Sequence, residues 1–281
     1  MLLQRVVTAL VLVALLLLSL AARAAWPFAL LTLVLIAAAG WEWGRLNQAP
    51  ETLAWAMGGA LAAAGAWAIA RGWTQLSPSA GWWSAALFWL LAGLVALRAG
   101  PLAWPLLPKW ARWCLGVLAL WAAWLALAQA RAVGINFLLS VLCLVWMADV
   151  AAYFGGRAFG QRKLAPSISP GKSWEGVWSG MAGVMLLAVF WIWLDGRGGF
   201  DSDSLYSRLL HSLGWWGGTL VVMALCGLSV VGDLVESLVK RAAGAKDSSR
   251  LLPGHGGVLD RVDALLPVLP VAMAVAALGA Q

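Results

Sequence analysis

Charge is scarce in this chain. Only 11% of its 281 residues are Asp, Glu, Lys or Arg, against about 25% in soluble domains, so an ordinary water-exposed globular fold is excluded. Cysteine is scarcer still. Cys114, Cys143 and Cys226 all sit in apolar runs with no Cys-x-x-Cys pair, which argues against a disulfide framework and a zinc site and reads them as small buried hydrophobes. There is no long-period repeat, low-complexity linker or soluble domain. A nucleotide-binding P-loop is absent as well. Gly171-Lys172-Ser173 has the ending of one, but Pro166 stands where the earlier glycine belongs, and no strand–loop–helix of a soluble fold surrounds it.

What is present is apolar. Hydrophobic residues make up 63% of the chain, in runs close to the roughly 20 residues that cross a bilayer. The expected fold class is all-α, a polytopic integral membrane bundle of about nine transmembrane helices. The expected spans are 6–22, 25–41, 53–70, 82–99, 112–128, 133–150, 176–194, 214–232 and 264–280. The first is read as an uncleaved span. A signal peptide ending near Ala22-Arg23-Ala24 is the competing reading. The chain reads as one integral membrane domain over 1–281, with 1–132 mainly scaffold helices and 133–281 carrying the catalytic helices and loops. Gly and Ala between Ala54 and Ala70 suit close helix packing. Tryptophans near span ends, among them Trp26, Trp41, Trp43, Trp82, Trp83, Trp215 and Trp216, suit the headgroup level.

The net charge of +7 fits orientation and anionic lipid better than nucleic acid. With nine spans, most bases fall on the side of the N-terminus. Only Arg23, Arg71, Arg131, Arg197 and Arg208 fall on the other. That bias makes the N-terminal side cytoplasmic and puts both large charged loops there. The loop from Asp195 to His211, on the outer side, reads as a plain solvated connection.

The first charged loop, Asp149 to Gly176, ends a span at Asp149, where an acid is costly unless it faces a polar cavity. Gly155, Gly156 and Gly160 would let backbone approach a ligand. Arg157, Arg162, Lys163 and Lys172 supply positive charge for a nucleotide or a phospholipid headgroup. A basic patch holding anionic lipid is the plainer alternative.

The second runs from Asp233 to Asp263, where Asp233, Glu236, Lys240, Arg241, Lys246, Asp247, Arg250, Asp260, Arg261 and Asp263 fall together. If the eighth span continues as helix through Arg241, Asp233, Ser237 and Lys240 share a face. Asp260 and Asp263 would share another. Carboxylates from two helices could hold Mg²⁺, which takes a few carboxylates plus substrate phosphates. Pro253-Gly254-His255-Gly256-Gly257 forms a tight turn between them, with His255 open to a phosphate contact or a purely structural role. Such a set suits transfer at phosphorus, where alignment and charge neutralisation carry the catalysis.

These residues resemble the bacterial phosphatidate cytidylyltransferase family, the CDP-diacylglycerol synthases. Its signature runs from Ser237 through Lys240-Arg241, Lys246-Asp247, Pro253, His255-Gly256-Gly257 and Asp260-Arg261 to Asp263. A second element matches Asp149, Ala152, Tyr153 and Gly156, then Lys163-Leu164, Pro166 and Ser169-Pro170-Gly171-Lys172-Ser173-Trp174. The resemblance implies that CTP and phosphatidate give CDP-diacylglycerol and pyrophosphate with Mg²⁺, a second metal or monovalent cation being left open. It implies a metal centre of Asp233, Ser237, Asp260 and Asp263. Catalytic roles go to Asp233, Lys240, Arg241, Lys246, Asp247, Asp260, Arg261 and Asp263. Substrate binding goes to Lys163, Ser169, Lys172, Ser173, Ser237, His255, Gly256 and Gly257. It also implies a homodimer and a bacterial inner-membrane location with the site on the cytoplasmic side. The alternatives are a CDP-alcohol phosphotransferase, whose acids would be spaced by four rather than three, and a polytopic lipid or ion transporter.

Overall fold

A computed structural model of the chain describes residues 2–75 and 79–279, side chains at 2–6, 9, 12 and 279 excepted. The described residues form a helical bundle: α1 (Leu2–Ala21), α2 (Trp26–Leu46), α3 (Glu51–Ala70), α4 (Trp82–Ala99), α5 (Lys109–Val133), α6 (Ile135–Phe159), α7 (Trp174–Asp195), α8 (Leu205–Ala242), α9 (Leu259–Val262) and α10 (Leu265–Ala276). Helices start where the sequence gives them an end. Ser173 accepts a bond from the Gly176 N–H to cap α7, and Ser204 caps α8 through Ser207 N–H. α8 is kinked at Gly214, whose φ of 66° leaves the helical region. The one addition to an all-α fold is a hairpin between α6 and α7, β1 (Lys163–Ala165) against β2 (Ser169–Ser173), pairing Lys163 with Ser173 antiparallel.

Among the described residues seven helices, α2 to α8, are long and apolar enough to cross a membrane. The expected span at 6–22 lies on α1. The one at 264–280 differs: α10 is a 12-residue helix, shorter than the roughly 20 residues of a full crossing. It sits against α4, α5 and α8 with its side chains buried from Leu266 to Ala276. Large apolar side chains such as Leu118, Trp178, Leu186 and Trp216 are exposed, the pattern of a bundle whose outer solvent is lipid. Cys114 belongs to that outer face and corrects the expectation that all three cysteines are buried. Trp43 departs the other way: it is buried and donates Nε1–H to the Arg112 carbonyl at 2.9 Å.

α6 and α7 are pressed together by glycine. A Cβ on Gly176 would lie 2.9 Å from the Ala152 carbonyl oxygen, and one on Gly180 would lie 2.9 Å from that of Ala148. Gly155 lies inside α6, where a Cβ would strike the Ser179 side chain. Gly155 therefore serves helix packing, Gly156 belongs to the same helix and lines the cavity described below rather than a loop, and α6 outruns its expected end near residue 150 by about two turns. The helix ladder satisfies its own backbone, so continuing it costs less than opening a loop at the membrane surface.

The loop at Asp195–His211 is no plain connection. Asp195 accepts bonds from Asn136 Nδ2 at 2.8 Å and Ser207 Oγ at 2.5 Å, and Asp201 accepts the Ile135 and Asn136 N–H groups at 2.6 and 3.0 Å. These acids tie the start of α8 to the first turn of α6. The two polar loops of the sequence meet at the opposite end.

Candidate active site

α8 carries the centre of the site at its last turns. Ser237 Oγ donates to Asp233 Oδ1 at 3.3 Å, and Lys172, on β2, ion-pairs with the other oxygen of Asp233. One turn on, Lys240 Nζ lies 2.7 Å from Asp260 Oδ1 and 2.5 Å from Glu236 Oε2. Glu236 is buried and its carboxylate takes no aligned hydrogen bond, so Lys240 is its compensating charge. Asp233, Ser237 and Lys240 do share the face expected of an i, i+4, i+7 set.

The chain then leaves α8, loops through residues 243–258 and returns as α9. Gly256, at φ 82°, closes a bridge with Leu252. Arg261 donates Nε and Nη2 to the His255 carbonyl at 3.1 and 2.5 Å, locking the turn. Among the described residues His255 Nδ1 is buried without a partner. Asp260 gathers donors: Gly257 N–H at 2.8 Å, Ser248 N–H at 3.0 Å and Ser248 Oγ at 3.0 Å. Burial would raise the Asp260 pKa, but the Lys240 ammonium and these N–H groups outweigh it and hold it at about 2. Asp263 goes the other way. Burial, then the charge of Asp233, raise its pKa above the ordinary carboxylate range. The approach of Asp263 to α8 depends on Gly232, where a Cβ would lie 2.5 Å from the Asp263 carbonyl oxygen.

Between α6, α7, β2 and α8 opens a cavity of about 420 Å³. Arg157, Ser169, Lys172, Ser173 and Asp233 make it polar, while Ala148, Ala152, Val177 and Val230 make it apolar. Asp149 also lines it, ten residues before the end of α6 rather than at a helix terminus, as the sequence suggested. A second, open basin of about 560 Å³ lies behind Ser248, lined by Arg45, Lys246, Asp247, Ser249 and Arg250 among others.

The structure thus gathers Asp233, Ser237, Lys240, Asp260 and Asp263 with Lys172, Ser169 and Ser173. It sets Lys246 and Asp247 in the neighbouring basin. Lys163 is exposed on β1. Arg241 points away from the acids, donating to the Ile168 and Ala245 carbonyls at 3.3 Å each, and so pins the hairpin to the loop. Three residues escaped the sequence reading as site members: Glu42, Glu236 and Arg45. In the sequence Glu236 counts among its charged neighbours but is given no role. Glu42 left one signal, an acid in an otherwise apolar run, which is costly in lipid unless it has a task.

The cytidylyltransferase family model matches residues 3–278. A phosphatidate cytidylyltransferase of Pseudomonas aeruginosa is 39% identical over 276 residues, spanning 96% of this chain and 95% of that protein. The chain belongs to the cytidylyltransferase family. Phosphatidate cytidylyltransferases of Haemophilus influenzae and Brucella suis are 47% and 45% identical over 137 and 133 residues, or 49% and 47% of this chain and 44% of each relative.

Cytidylyltransferases act on a phosphorylated nucleotide, for which hard oxygen donors and a divalent ion are the usual means of charge neutralisation. Among the described residues no group of three His, Cys, Asp or Glu side chains could by itself hold a metal. Asp263 lies near enough to Asp233 for that charge to raise its pKa, while Asp260 already accepts from Lys240, Ser248 and Gly257. By themselves Asp233 and Asp263 would offer a cation two carboxylates, and the rest of its shell would have to come from substrate oxygens or from Asp260 after exchange of its present partners.

Proposed function

We propose that the chain transfers the cytidylyl group of CTP to phosphatidate, giving CDP-diacylglycerol and pyrophosphate. The match to the Pseudomonas aeruginosa phosphatidate cytidylyltransferase along 96% of the chain carries this reading. The cavity beside Asp233 supports it, because a lining of both polar and apolar side chains suits a lipid with a phosphate head. A phosphatidate oxygen attacks the α-phosphorus of CTP, a new P–O–P linkage forms, and the α–β bond breaks as pyrophosphate leaves. The attacking oxygen is already anionic, so no dedicated base is needed. Alignment and electrostatics supply the catalysis.

Lys172 and Lys240, now paired with Asp233 and Asp260, are the cations best placed to take up phosphate charge. Ser169 and Ser173 line the cavity, and Lys163 lies on the neighbouring strand β1. His255, Gly256 and Gly257 form the turn that would approach the nucleotide, and Lys246, Asp247, Arg241 and Arg261 surround it or brace it. Asp233, Ser237, Asp260 and Asp263 would hold Mg²⁺, which when bound neutralises charge on the reacting phosphates. The excess of bases at this end supports a cytoplasmic-facing site in the inner membrane, and the family resemblance supports a homodimer.

The test uses purified protein in mixed micelles containing phosphatidate, with labelled CTP and Mg²⁺. Label entering the lipid and pyrophosphate released should match mole for mole, require the metal, and vanish in Asp260→Asn. Folded wild-type protein that forms neither product would defeat the reading.

A further inference from the structure

Glu42 lies on α2, in the half of the chain that looked like scaffold, and it is completely buried. Among the described residues it has no salt-bridge partner, yet four donors converge on it. Oε1 accepts Ser249 Oγ at 2.5 Å and Val258 N–H at 3.0 Å, and Oε2 accepts Leu259 N–H at 2.7 Å and Ser248 Oγ at 3.2 Å. Ser248 and Ser249 end one arm of the loop, and Val258 and Leu259 begin the returning arm. One carboxylate therefore clasps both arms. Ser248 in turn donates its N–H to Asp260 and stands with its hydroxyl between the two acids, its single proton shared between Glu42 and Asp260, and Gly257 N–H donates to the Asp260 carboxylate as well. The fit leaves no space: a Cβ on Gly257 would lie 2.5 Å from Glu42 Oε1 and 2.0 Å from Ser248 Oγ.

We propose that Glu42 is a positioning residue for the transfer reaction, fixing Asp260 through Ser248 while its own carboxylate touches neither substrate nor metal. A buried acid without a cation is expensive. Here hydroxyl and N–H dipoles carry the compensation, so the loop must close around Glu42 in one arrangement to satisfy it. That arrangement is the one that presents Asp260 to Lys240. The acid thus couples the scaffold helix to the reacting end of α8.

The inference rests on the proposed reaction, and the test separates the two. Wild type, Glu42→Gln, Glu42→Asp, Ser248→Ala and Glu42→Gln/Ser248→Ala are compared in the labelled-CTP assay, per folded molecule. Glutamine keeps the shape but offers one acceptor oxygen and sets N–H groups against donors. We expect kcat to fall about 10- to 100-fold in Glu42→Gln, the scale for displaced supporting residues, with the KM for CTP within about twofold. Glu42→Asp should recover part of it. The double variant should be no worse than the poorer single one, because both act along one route. Asn136→Ala, at the opposite end, should lower the melting temperature without lowering kcat, which separates positioning from plain destabilisation. A second readout needs no turnover: the rise in melting temperature on adding Mg²⁺ and CTP should shrink in Glu42→Gln. Wild-type kcat and an unchanged ligand shift in folded Glu42→Gln overturn the inference, as do multiplicative effects with Ser248→Ala. If Glu42→Gln does not fold, wild-type kcat in Ser248→Ala overturns it equally. An inactive wild type would defeat the reaction instead, and the ligand shift would then decide the role of Glu42.

Discussion

Replacing Lys240 by methionine should unfold the site from within, and the structure says how far. The ammonium stands between Glu236 and Asp260, at 2.5 and 2.7 Å, with 12% of its side chain exposed. Asp260 keeps three protein donors when Lys240 is lost, but Glu236 keeps none. Removing one partner of a buried pair costs up to about 3–5 kcal/mol when the stranded acid stays ionised, and less when it takes up a proton. Most of that cost should fall on Glu236. Lys240→Met should therefore melt well below wild type in detergent micelles, and Glu236→Gln/Lys240→Met should regain more than half of the difference, since an amide is far cheaper to bury than a stranded carboxylate. Activity should stay lost in both, because Asp260 no longer has its cation. Thermal scans by intrinsic tryptophan fluorescence, run beside the labelled-CTP assay, read both effects. Equal melting temperatures for the single and double variants would refute the assignment of Glu236 as the stranded group. Wild-type turnover in either would refute the role of Lys240.

Gly232→Val should lose activity and about 1–3 kcal/mol of stability through overpacking, because its Cβ would meet the Asp263 carbonyl and Pro267. A variant that melts and turns over like wild type would show that Asp263 tolerates displacement. Asp201→Asn should weaken the outer end in a pH-dependent way. Burial would raise the Asp201 pKa, but the Asn136 and Ile135 N–H groups, the Ser202 hydroxyl and the Arg131 charge outweigh it and lower it. A depressed acid stabilises the fold above its unfolded pKa of about 4 and loses that contribution as pH falls through the folded value. Wild-type and Asp201→Asn melting temperatures should thus differ at neutral pH and converge under acid conditions. A constant gap would refute the ionised form as the stabilising one. Cys114→Ser, Cys143→Ala and Cys226→Ala together should retain turnover per folded molecule, Cys114→Ser changing stability by under about 0.5 kcal/mol as an exposed substitution. A large loss of turnover would give one of the thiols a part in the chemistry.

The sequence alone determined a great deal here. The apolar runs placed most spanning helices, because the absence of water forces each run to satisfy its own backbone. The Asp233–Asp263 stretch stood out as the charged segment that the fold gathers at one end of the bundle, since charge in a lipid-borne chain is kept only where it has a use. Other matters were settled only by the fold. Gly155 and Gly156 looked like loop, but both belong to α6, which runs about two turns further. The final apolar run looked like a full span, but α10 ends after 12 residues inside the bundle. Asp233 and Asp260 looked like equivalent acids, yet one pairs with Lys172 and the other with Lys240. Glu42 shows the reason most plainly. It lies 206 residues from Ser248 and 217 from Leu259, and neither spacing nor periodicity links residues so far apart. Composition and pattern record what each segment needs from its solvent. Which buried donor meets which acceptor is fixed only when the helices pack.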